Sequence, residues 1–167
     1  MTIKDLLLNH LDYTFEKEAW QPSLAIAIQG LTSKQAAWRP GPQRHSIWQI
    51  VRHVIHWKRG TIEAWDGVKP VVRAGAPTEH ARELERTDWQ EVSGDETAWQ
   101  ADMRALHEVS MAIRKRIQAM NEDDLQRPFE GERMPTVLRI LRMGTHDIYH
   151  AGQVRYLRAL QRLKGSP

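Results

Sequence analysis

The sequence predicts an all-α chain, a four-helix bundle with one long crossover connection between helices 2 and 3. Three observations carry this expectation. Four long segments repeat their apolar residues at helical spacing, no stretch alternates apolar and polar residues, and no hairpin turn signal is present. With 167 residues the chain is read as a single domain, 1–167, long enough to enclose a core.

Ile3, Leu7, Leu11 and Phe15 share one helical face and predict a first helix from 3 to about 20. Pro22 ends or kinks it, and SLAIAIQG continues helically to Gly30, a good C-terminal stop. TSKQ at 32–35 fits a capping box for one short turn, and Pro40, Gly41 and Pro42 make a turn. Ser46 fits the N-cap of the second long helix, which runs to Trp65. The third begins near Asp95 and carries Trp99, Met103, Leu106, Ser110, Ile113 and Ile117 on one stripe. The fourth starts after Pro135 and runs to about Leu163. Residues 66–94, rich in Gly, Pro and charge, are read as the crossover, with a short helical piece at 79–86.

The charge balance, 24 Lys and Arg against 21 Asp and Glu, leaves +3. These charges are dispersed rather than gathered into one basic block, so no nucleic-acid partner is expected. No apolar run is long enough to span a bilayer, so no membrane partner is expected either. MTIKDLLLNHLDYTFEKEAW carries charges every few residues, and it is not read as a signal peptide. Zero cysteines exclude disulfides, thiolate metal sites and a Cys nucleophile. A cytoplasmic location is expected.

The chemistry centres on HDIYHAGQVRYLR, residues 146–158. Helix positions four apart face the same side, so His146 and His150 reach a single ion. His146, Tyr149, His150, Gln153, Leu157 and Leu160 form one stripe, read as inward. Asp147, Ala151, Arg155, Arg158 and Arg162 form another, read as solvent-facing. The nearest general motif is H-E-x-x-H, with Asp147 at the position of the glutamate. No His, Asp, Glu or Cys follows His150, so a third ligand must lie upstream. IVRHVIHW in the second helix offers His53 and His56. His53 shares its side with Ile50, Val54 and Trp57, whereas His56 aligns with Gln49, Arg52 and Arg59. A buried ligand belongs with the first set, which selects His53. Three imidazoles leave an ion an open position, and imidazole suits zinc, nickel and iron alike. On spacing alone a second reading stands beside this one, two core histidines that happen to line up.

HSIWQIVRHVIHW (45–57), preceded by GLTSKQAAWRPGPQRHSIW and followed some ninety residues later by HDIYHAGQVRYLR, resembles the DinB-like superfamily of four-helix metalloproteins. The likeness runs from about residue 5 to 162. It implies one divalent metal ion held by one histidine of helix two and both histidines of HxxxH on the last helix, which map onto His53, His146 and His150. It also implies a thiol-dependent S-transferase or isomerase, in which a low-molecular-weight thiol attacks a small electrophilic substrate. A metal-dependent hydrolase and a non-catalytic metal- or ligand-binding bundle are the alternatives. A homodimer is expected from the resemblance and from the surplus of tryptophans.

Around that site, Gln153 is a candidate to orient bound water or substrate, against a plain packing role. Tyr149 is a candidate donor to developing negative charge, against a tyrosine buried between helices. Asp147 is a candidate general base, against a supporting or surface role. Arg142, with Arg139 one turn earlier, is a candidate cation for a substrate carboxylate or the acidic groups of a thiol, against simple solvation. Trp57, one turn from His53, is a candidate wall that keeps water out.

Overall fold

The computed structural model describes residues 1–68, 79–129 and 133–164. Among the described residues the chain is all-α and has no strand; an isolated antiparallel bridge pairs Pro128 with Pro135.

Helix α1 (Ile3–Leu11) begins with a capping box in which the Thr2 hydroxyl accepts from Asp5 N and the Asp5 carboxylate accepts from Thr2 N. It passes into a π-helical turn, Asp12–Glu16, closed by Lys17 N donating to Asp12 O at 2.7 Å. Lys17 then turns extended, and its ammonium folds back onto the Asp12 carboxylate at 2.8 Å. The first helix therefore stops at Glu16 rather than near residue 20, and Pro22 lies in a break rather than a kink. Helix α2 (Leu24–Ile28) is followed by Gly30, whose φ of 73° is one that favours glycine.

Local capping sets most of the remaining starts. Thr32 and Gln35 form the expected box at α3 (Ser33–Ala37), and Ser46 and Gln49 form one at α4 (Ile47–Trp65). Helix α5 (Glu79–Asp88) covers the short piece expected at 79–86; of the expected crossover, residues 69–78 lie outside the described residues. Asp95 caps α6 (Glu96–Ala119) by accepting from Ala98 N. Helix α7 (Glu122–Gln126), capped by Asn121, was not expected, because five residues are too few for an apolar period. Helix α8 (Thr136–Lys164) starts where Thr136 donates from N and Oγ1 to Arg127 O, tying it to the end of α7.

Helix α4 packs on α6 and α8, α1 on α6 and α8, and α2 on α8. The larger apolar cluster gathers Leu24, Ile47, Trp48, Val51, Trp99 and Val154; a smaller one gathers Leu7, Leu11, Ile113, Ile117, Leu125 and Ile140. Trp99 Nε1 donates to Leu31 O at 2.8 Å and Trp48 Nε1 to Asp102 Oδ2 at 2.6 Å, so both indoles are buried without an orphan donor.

Because α8 is covered by α1, α2, α4, α7 and the π-helical turn, its sides differ from the expected stripes. Asp147 and Ala151, expected to face solvent, are 0% and 2% exposed, while Tyr149, expected inward, is 62% exposed. Asp147 escapes solvent by pairing: Lys58 Nζ donates to its Oδ2 at 2.6 Å and to Ser110 Oγ at 2.9 Å, and lies 4.5 Å over the Phe15 ring. Arg158 is also not simply solvated, since its Nη1 donates to Ala27 O and Gln29 O at the end of α2. No described helix is long and apolar enough to cross a membrane.

Candidate metal centre

Helix α4 contributes His53 and α8 contributes His146 and His150, and one ring nitrogen from each lies within 4.8 Å of the other two. His146 Nε2 is 3.0 Å from both His53 Nε2 and His150 Nε2. The orientation is fixed from behind. His53 Nδ1–H donates to Asp88 Oδ1 at 2.6 Å, and His150 Nδ1–H donates to Gln153 Oε1 at 2.7 Å. With the Nδ1 proton so placed, Nε2 of each neutral ring carries a lone pair.

That geometry tests whether a divalent ion fits. A proton on His146 Nε2 serves one of its two 3.0 Å neighbours and leaves the other neighbour's lone pair without a donor; a proton on His146 Nδ1 instead leaves three lone pairs facing one another. A cation at the common point satisfies all three. Charge state agrees: burial first, then the neighbouring imidazoles and Lys58, hold His146 down at about 3, and burial followed by His53 holds His150 down at about 4. Near neutral pH both rings are therefore in the form that binds metal. Three imidazoles with two Nδ1 partners fit zinc, nickel or iron, and they leave an open position.

Two residues here escaped the sequence reading, Asp88 and Trp89. Asp88, the last residue of α5, is buried and accepts from both His53 Nδ1 and Trp57 Nε1, the latter at 2.9 Å. Trp89 stacks on His53 with ring centres 4.1 Å apart. The available signal was an acid beside a large aromatic at the end of a short predicted helix, inside a stretch read only as a connection.

A cleft of about 690 Å³ opens onto His53 and His146, and Trp57, Trp89, Arg139 and Arg142 also line it. Tyr149 stands at the exposed edge of the site, where its hydroxyl accepts from Gln153 Nε2 at 3.0 Å, giving a chain Tyr149–Gln153–His150. Gln153 thus holds a ligand by one end and a tyrosine by the other. Asp147, although next to His146 in sequence, does not line this cleft, because its carboxylate turns into the core onto Lys58. Burial raises its pKa, against the pull of the Lys58 ammonium. The structure thus gathers His53, His146, His150, Gln153, Tyr149 and Trp57, brings Arg142 to the adjoining cleft, and separates Asp147 from it.

No curated protein and no solved structure matches the chain. A model of the DinB superfamily matches residues 17–154, a span that holds all three histidines, Asp88 and Gln153. The chain belongs to the DinB superfamily.

Proposed function

We propose that this chain is a divalent-metal enzyme, a thiol-dependent S-transferase or isomerase acting on a small electrophilic molecule. One observation carries the reading: the cleft that reaches His53 and His146 is also lined by Arg139 and Arg142, so ligand nitrogens and guanidinium groups address the same space. When bound, the ion supplies Lewis-acid activation of a thiol near neutral pH. Asp88 and Gln153 hold His53 and His150 in the ligating orientation. Trp57 and Trp89 keep water from the aromatic side. Arg142, with Arg139, takes the acidic groups of a low-molecular-weight thiol. Asp147 acts on the fold through Lys58 rather than on the substrate. In the same reading the long helices form a four-helix bundle whose crossover brings in Asp88, and the chain works as a cytoplasmic homodimer on a small-molecule substrate.

The test is turnover of a panel of electrophiles (epoxides, aryl halides, activated alkenes) with and without added low-molecular-weight thiols. Turnover that needs both metal and thiol, and that is lost in His53→Ala, is the expected result. Turnover without thiol makes the chain a hydrolase. Full metal loading with no turnover under either condition makes it a non-catalytic bundle.

A further inference from the structure

Beside the metal-facing cleft lies a second one of about 660 Å³, and the two share Trp89. The indole stacks on His53, which lines the first cleft, and on His45, which lines the second, with ring centres 4.1 and 3.8 Å apart. Gln153, the residue that accepts from His150 Nδ1, also lines the second cleft.

The two clefts differ in chemistry. The first holds the carboxylates of Glu85 and Asp88 as well as its arginines. Among the described residues, no carboxylate lines the second; its walls are Ile50, Leu157, Leu160, Tyr156 and the Pro40–Pro42 turn. Its one guanidinium, Arg44, is exposed and has no ion pair to a described residue. Apolar walls with a few polar groups, at this size, are the usual make-up of a small-molecule site. A guanidinium with no ion pair to a described residue selects an anionic group.

We propose that this second cleft binds a small apolar or aromatic molecule carrying one anionic group, with the apolar part against Ile50, Leu157 and Leu160 and the anion at Arg44. Such an occupant sits against Gln153 and so adjoins His150 without entering the cleft that faces His53 and His146. This binding site does not rest on the transfer reaction proposed above.

The experiment is a fluorescence titration of the untagged, metal-loaded protein with 1-anilinonaphthalene-8-sulfonate, an aromatic anion. About one probe per chain is expected, with affinity falling about tenfold or more in both Leu160→Asp and Arg44→Glu and unchanged in Arg142→Glu. Arg44 is exposed, so its variant decides the matter if Leu160→Asp fails to fold. His150→Ala is expected to keep the probe even if it loses metal, which separates this proposal from the metal reading. No binding to wild type, binding indifferent to Arg44→Glu, or binding lost in Arg142→Glu instead overturns it.

Discussion

Asp88 accepts the Nδ1 proton of His53 across 2.6 Å, so the last residue of α5 decides which nitrogen His53 turns toward His146. A carboxylate behind a ligating histidine fixes its tautomer and raises its basicity. Asp88→Ala is therefore expected to lower metal affinity by about 10–100-fold, the range for loss of such a partner. Competition against a chromophoric chelator measures it, with circular dichroism to show that the helices persist. Affinity equal to wild type in a folded variant contradicts the assignment.

Lys58 and Asp147 form a buried ion pair, 3% and 0% exposed. Removing one partner strands the other charge, so Lys58→Met and Asp147→Leu are each expected to cost about 3–5 kcal/mol. The double variant is expected to lose clearly less than the sum, because it buries neither charge alone. Urea denaturation of the four chains gives the coupling directly, and additive losses count against the pairing.

The metal-free protein carries its own pH signature. His146 and His150 stay neutral in the folded chain down to about 3 and about 4, whereas an unfolded imidazole takes its proton near 6.5. The unfolded state binds the protons first as pH falls, so their contribution to stability is complete above about pH 6.5 and drains away toward pH 3. Urea midpoints measured in chelator from pH 7 to 4 are expected to fall, and to fall less steeply in a His146→Gln, His150→Gln double variant. Equal slopes refute this.

Gly144 sits where α8 meets α1, and a Cβ there meets His10 Nε2 at 2.2 Å and Thr14 Oγ1 at 3.1 Å. His10 Nε2–H donates to Leu141 O at 3.2 Å, a contact the added methyl displaces. Gly144→Ala is expected to destabilise by about 1–3 kcal/mol, as overpacking does. His10→Ala in the same chain is expected to recover part of that loss in thermal melts; no recovery places the strain elsewhere.

What the sequence makes legible is local. Ser46, Asp95 and Thr32 announce their helices because each cap bonds within its own first turn. The histidines are legible for the same reason, since the spacing of His146 and His150 and the apolar neighbours of His53 each lie inside one helix. What stays hidden joins distant residues. Asp88 meets His53 across 35 positions and Asp147 meets Lys58 across 89, and no single-helix period records either pairing. Asp147 on a helix pattern reads as solvated; only the packing of α4 against α8 supplies the ammonium that lets it be buried.

The most direct test of the account is elemental analysis of the purified, untagged protein beside His150→Ala. About one divalent ion per chain in the wild type, lost in the variant, is what three converging Nε2 atoms predict. A wild type that stays metal-free after reloading, or a variant that keeps its full complement, would contradict it and leave the cluster as three packed histidines.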